Sequence, residues 1–198
     1  MKRFTIFLLV GALCLGLAGC TGPLPPEKAA DGQDWNENWV TVGQIVGVDT
    51  PEGLDARENN EALAANGMYY ATWSMGEAVP YVNADGEDAE LYDAQVYLLL
   101  SGGKSAEEAE NTLAQWQELA KQQYVLEGTD TQTHNGQEFT VITYSFDSET
   151  NPYARGVSAY GVYRNYAVNV ELACQEDLDL DLEELMGQFL DNCHYAMP

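Results

Sequence analysis

Ala94-Gln95-Val96-Tyr97-Leu98-Leu99-Leu100, followed by Ser101-Gly102-Gly103-Lys104-Ser105, is the stretch from which the fold is read. A run of branched and aromatic residues ending in consecutive leucines describes a strand buried on both faces, hence a central strand of a sheet. The glycines break it. Ser105 with Glu108 three positions on then predicts a helix start, since each side chain can satisfy a backbone N–H at the helix end. Glu107 and Glu110 suit the same positive end. Ala109, Leu113, Trp116 and Ala120 recur at spacings of four, three and four, so the helix, running to about Gln123, lays one apolar face on the sheet.

Working outward, Met68–Met75 is a strand with Tyr69, Ala71, Trp73 and Met75 on one face. Residues 40–49, rich in valine, read as a first strand ending on a Thr50-Pro51-Glu52-Gly53 turn. Residues 54–66 are polar and alanine-rich, with a helical turn expected around residues 60–65 that Gly67 would stop. Asn83-Ala84-Asp85-Gly86 marks a turn within residues 81–93. After the helix, residues 124–133 and 137–146 form a hairpin around His134-Asn135-Gly136, because Asn-Gly accepts the positive φ that tight turns need. A second hairpin joins residues 157–163 to residues 166–174 across Arg164 and Asn165. In its second strand Tyr166, Val168, Val170, Leu172 and Cys174 alternate with smaller or polar residues. Asp181, Glu183 and Glu184 open a last helix whose core face is Leu182, Leu185, Met186 and Phe189. The class is α+β, and residues 39–198 make one domain.

The chain has 198 residues, 45% of them hydrophobic and 11% aromatic, which is enough apolar material for one core. Its 32 acidic and 8 basic side chains leave a net charge of -24, which excludes a nucleic-acid partner, because phosphate binding needs clustered cations. Lys2 and Arg3 precede an apolar run over residues 4–17 that is too short for a standing membrane helix and reads as an export signal.

That run closes on Leu17-Ala18-Gly19-Cys20, which resembles the lipobox of bacterial lipoproteins. The resemblance implies a signal peptide over residues 1–19, removed so that Cys20 becomes the first residue and carries acyl chains. Each buried methylene contributes about 0.8 kcal/mol, so several chains hold the protein on the extracytoplasmic face of a membrane. Losing residues 1–19 discards two cations and no acid, leaving a body still more negative than before. Residues 20–38, with Pro23, Pro25, Pro26 and Gly32, read as an extended tether reaching at most about 50–60 Å. Trp35 and Trp39 are expected to open the folded domain.

No motif for a cofactor stands in the chain. Gly103-Lys104-Ser105 lacks the glycine that a phosphate-cradling loop requires, for Leu98 stands there. His134 reads as a solvated turn residue and His194 as a cation at the end of the last helix. Cys193 and His194, as adjacent helical residues, point apart and cannot share a proton. No nucleophile elbow flanks a serine. Asp177, Asp179 and Asp181 begin like a calcium loop, but Leu182 and Gln188 occupy its glycine and glutamate positions. Asp85, Glu87, Asp88 and Glu90 could attract a hard cation weakly, so no resident metal is expected. Cys174, ending the last strand, and Cys193, at the far end of the last helix roughly 20 Å away, are expected as buried, free thiols. Candidate ligand-binding residues are the aromatic group Tyr69, Tyr70, Trp73, Tyr81 and Tyr92, and Tyr153 with Arg155, which suit a glycan, a peptide or another envelope protein.

The order of elements over residues 40–195, with the turn at residues 50–53 and the closing hairpin and helix, resembles the PsbP-like α/β/α sandwich. That superfold includes an oxygen-evolving-complex subunit, a Ran-binding nuclear transport factor and lipoproteins of gut bacteria. The resemblance implies an antiparallel meander flanked by helices, on a scaffold used for binding and assembly more than for catalysis. The expectation is a non-catalytic, ligand- or protein-binding envelope lipoprotein. A compact polar pocket with a perturbed acid or base would instead mark an enzyme of the hydrolase class, and a large exposed apolar patch a component of an envelope or secretion assembly.

Overall fold

The computed structural model describes residues 39–43, 45–60, 64–83, 86–146 and 151–195. The export signal, Cys20, the tether and Trp35 lie outside them. In chain order the strands are β1 (Trp39–Val42), β2 (Val46–Asp49), β3 (Asp55–Asn60), β4 (Met68–Met75), β5 (Val79–Val82), β6 (Asp88–Leu91) and β7 (Ala94–Gly102). Helix α1 (Ala106–Gln123) follows, then β8 (Val125–His134), β9 (Gln137–Ser145), β10 (Arg155–Tyr163), β11 (Tyr166–Cys174), helix α2 (Leu182–Asp191) and β12 (Cys193–Tyr195).

Seven strands form one antiparallel sheet in the order β3-β4-β7-β11-β10-β9-β8. β8 to β11 run as a consecutive meander, and β11 returns to pair with β7 over its whole length. β7 is buried on both faces as the leucine run implies, yet the middle position belongs to β11, all nine of whose residues are buried. The architecture is α+β and dominated by sheet. Helix α1 packs Ala109, Trp116 and Ala120 on one face of the large sheet. Helix α2 packs Leu185, Met186 and Phe189 on the other, together with Val46 and Val48 of the small sheet β1-β2-β12. Among the described residues no helix is long and apolar enough to cross a membrane.

The capping at Ser105 forms as expected. Glu108 N–H donates to Ser105 Oγ at 3.3 Å, while Glu108 Oε2 accepts from the backbone N–H of Lys104 at 2.7 Å. Both hairpins form about the predicted turns, with Asn135 and Arg164 at positive φ. Asp181 caps α2, its side chain accepting from Glu184 N–H, which accounts for the acids gathered there.

Four regions depart, wholly or in part, from the sequence reading. Residues 40–49 are not one strand but the hairpin β1–β2, folded back at Gly43. Gly43 has φ +60°, and a Cβ there would lie 2.6 Å from the Tyr69 ring, so both conformation and contact require glycine. The polar stretch opens with an edge strand that its sequence does not signal, β3, while the helical turn expected near residues 60–65 is met by a 3-10 turn at Ala64–Asn66 that ends at Gly67 with φ 71°. The turn expected at Asn83 and Gly86 forms, Gly86 N–H donating to Asn83 O at 2.9 Å, but it joins two short strands, β5 and β6, that were not expected. His194 does not end a helix; it lies in β12, which pairs with β2.

Candidate functional site

The aromatic residues picked out in the sequence are distributed over several surfaces. Alternation along β4 sends Trp73 and Tyr69 toward the α2 side and Tyr70 toward the α1 side. Trp73 is fully buried, packs edge-on against Phe189 at 4.9 Å and donates from Nε1 to Thr50 Oγ1 at 3.1 Å. Tyr81 is half-buried on the separate β5–β6 ribbon. Tyr92 and Tyr153 are buried neighbours at the end of the large sheet. Tyr92 donates to Glu90 Oε2 at 2.6 Å, and Tyr153 donates to Gln95 Oε1 at 3.3 Å. Burial pushes the Tyr153 hydroxyl up to about 12. Arg155 holds the 178 carbonyl, donating to Leu178 O at 2.7 Å.

The histidine expected to be solvated in its turn is 13% exposed. His134 Nδ1 lies 2.8 Å from Asp191 Oδ1, and Nε2 lies 3.1 Å from Gln132 Oε1. Its neighbour Asn135 donates from Nδ2 to the carbonyls of Asp191 at 2.7 Å and Cys193 at 2.9 Å, so this turn caps the end of α2. Cys174 and Cys193 are both buried and free. Burial drives the Cys193 thiol far above its usual range, the opposite of an activated nucleophile. Cys193 and His194 now alternate along a strand and so face opposite ways. Asp85 lies outside the described residues, and Asn83 Oδ1 accepts from Glu87 N–H in a closed turn. Among the described residues no group of three or more His, Cys, Asp or Glu side chains is placed to hold a metal.

The polar chemistry of the molecule lies under α1. On the α1 side of β11, the residues between the valines are Ala167, Asn169, Glu171 and Ala173. Glu171 is 4% exposed at the middle of the central strand, with Tyr97 of β7 and Ser158 of β10 as cross-strand neighbours. Asn169 is 2% exposed beside Tyr160. Both border a cavity of about 20 Å³ between the sheet and the last turns of α1. Trp116 and Ala120 form its helix wall, and Leu119, Gln123 and Tyr124, all partly or fully exposed, form its rim.

Among the described residues, three buried side-chain polar atoms have no hydrogen-bond partner, and two of them, Glu171 Oε1 and Asn169 Oδ1, are here. The third, Tyr195 Oη, lies on the α2 side. Removal from water raises the Glu171 pKa to about 7, against which the hydroxyls of Tyr144 and Tyr124 pull downward. The aromatic wall behind is tightly built. Tyr124 stacks on Tyr144 at 4.3 Å, Phe146 meets both edge-on, and Tyr144 Oη lies 3.0 Å from Ser158 Oγ. Gly156 makes room for this wall, because a Cβ there would collide with the Tyr144 ring.

Chemically, the pocket presents two acceptors, one of them a carboxyl poised to change protonation near neutrality. It can bind a donor-bearing group or move a proton. The sequence signal is the single charged residue, Glu171, between the apolar alternates of β11.

No protein-family model and no curated protein matches the chain. Among solved structures it is similar to the solution structure of cyanobacterial PsbP (CyanoP) from Synechocystis sp. PCC 6803, at 11% identity and a TM-score of 0.45, over 91% of this chain and 99% of that one.

Proposed function

We propose that this chain is a lipid-anchored envelope protein whose folded domain binds another molecule at the Glu171 pocket without catalysing a reaction. One observation carries the binding reading: two neighbouring buried acceptors, Glu171 Oε1 and Asn169 Oδ1, stay unpaired beside a cavity. Folded proteins pair nearly all such groups, and each one left unpaired costs about 1–3 kcal/mol. A ligand group that donates hydrogen bonds recovers that cost. Space for one water-sized group suits recognition of a small head better than the accommodation of a reacting bond. The anchor rests on the basic start, the apolar run and Leu17-Ala18-Gly19-Cys20. The PsbP-like reading belongs to the same proposal; a meander returning to β7 and a helix against each sheet face support it.

Two experiments test the two halves. Cys20→Ala is expected to move the protein from the membrane to the soluble fraction and to remove its labelling by palmitate; unchanged fractionation defeats the anchor. Small alcohols, amides and amines are expected to shift the side-chain resonances of Asn169 and Glu171, and silence from all three classes defeats the pocket.

A second reading, an enzyme of the hydrolase class, is favoured by the Glu171 pKa of about 7, the value suited to a general acid. Hydrolysis of ester or glycoside substrates that disappears in Glu171→Gln would establish it. Exposed Val79 and Val82 on the β5–β6 ribbon are the surface to test for an assembly partner.

A further inference from the structure

We propose that the Glu171 pocket recognises the protonated head of a primary alkylamine. This rests on the binding reading above and narrows it to a ligand class.

Four observations point the same way. The unpartnered atoms are both acceptors, a carboxyl oxygen and an amide oxygen, so the matching group is one that donates several hydrogen bonds at once. An ammonium head has three donors on a single atom, and charge-assisted bonds to a carboxylate are the stronger kind. Trp116, Tyr124 and Tyr160 border the same cavity, and aromatic rings attract cations. The pocket also sits at the C-terminal end of α1, lined by Ala120, Gln123 and Tyr124, where the helix dipole is negative and favours positive charge.

Size and donor count fit together. A volume of about 20 Å³ admits a group the size of water, which an ammonium head matches. A trimethylated head brings no N–H donor to the two acceptors. The alkyl chain behind the head leaves past Leu119, the apolar member of the rim. A free alkylamine and a lysine side chain share this chemistry.

The bound state needs Glu171 ionised, while an alkylamine keeps its proton across the neutral range. The titratable groups facing the carboxyl are Tyr144 from β9, Tyr160 from β10, Tyr97 from β7 and Tyr124 at the end of α1. Tyr124, Tyr144 and Tyr160 have pKa values raised by burial and stay neutral over the same range, so the carboxyl sets the pH dependence. Affinity therefore falls as pH drops below about 7.

The test uses the full chain in non-ionic detergent, titrated calorimetrically with n-butylammonium, tetramethylammonium, n-butanol and a blocked Gly-Lys-Gly peptide. The expected result is binding of n-butylammonium, of the peptide, or of both, with none of tetramethylammonium. The affinity should weaken about ten- to hundredfold in Glu171→Gln. Binding of both ligands assigns the head alone as the recognised group, and binding of one assigns its source. Thermal melting of Glu171→Gln, an isosteric change, verifies that the variant is folded, and Asn169→Ala is expected to weaken binding by a smaller factor. If n-butanol binds and the amines do not, or if amine affinity is the same at about pH 5 and about pH 8, the amine inference is overturned while the pocket stands. If nothing binds, both are overturned.

Discussion

The two faces of the seven-stranded sheet are built by the same strands and do opposite things. Toward α2, β11 presents Val168, Val170, Leu172 and Cys174, and the helix closes over them with Phe189 and Met186, alongside Trp73 of β4. Toward α1, the same strand presents Asn169 and Glu171 under tyrosines and a tryptophan. The strand period of two makes the separation possible, since one sequence can address two environments residue by residue. The lesson is a division of labour: both faces bury an apolar cluster, the larger one toward α2, and the α1 face gives up some stability to hold a carboxyl out of water.

That division can be broken most severely on the dry side. Trp73→Ala, which removes the largest fully buried side chain, is expected to destabilise the fold by about 3–5 kcal/mol in urea denaturation. The Glu171 titration of whatever protein remains folded should be unaltered. A loss under about 1 kcal/mol would mean that the α2 face contributes little of the stability assigned to it.

On the polar face the prediction has a sign. The Glu171 pKa is raised in the fold from 4.5 to about 7. Its protonated form therefore supports the fold fully below about pH 4.5, and that support is lost as pH rises through about 7. Glu171→Gln removes the loss. Relative to the parent it should gain on the order of 3 kcal/mol at about pH 8, and the gain should vanish toward about pH 4. A variant less stable at the higher pH would contradict the account.

Smaller effects probe the edges of each face. Asn135 sits at φ 50° and caps the last carbonyls of α2, so Asn135→Ala should cost about 1–2 kcal/mol on the dry side. Ser105→Ala removes the cap of the helix that roofs the pocket and should cost about 1 kcal/mol. Both are measured by the same denaturation experiment.

The parts of this fold that were legible before the structure are those whose signals are local. The leucine run, the Ser105 cap and the Asn135-Gly136 turn each lie within a few residues, and each formed where expected. β3 was missed because Asp55–Asn60 is an edge strand, mostly polar and exposed over residues 55–59, with no alternation to betray it. The β1–β2 hairpin was read as one strand because Gly43 looks like an interruption until Tyr69 is seen against it. β12 is three residues long and owes its existence to β2, far away in sequence. The pocket is non-local in the same way. Glu171 was visible as a charge in a buried strand, but its partners come from β7, β9, β10 and α1, and only the packing of α1 across β10 and β11 assembles them.

The central claim is that Glu171 is held in a buried, donor-seeking pocket. The most direct measurement follows the carbon-13 shift of its side-chain carboxyl with pH, with and without n-butylammonium. The account predicts a midpoint near 7 in the free protein, moving lower as the amine is added. A midpoint at the ordinary 4.5, unmoved by amine, would contradict it.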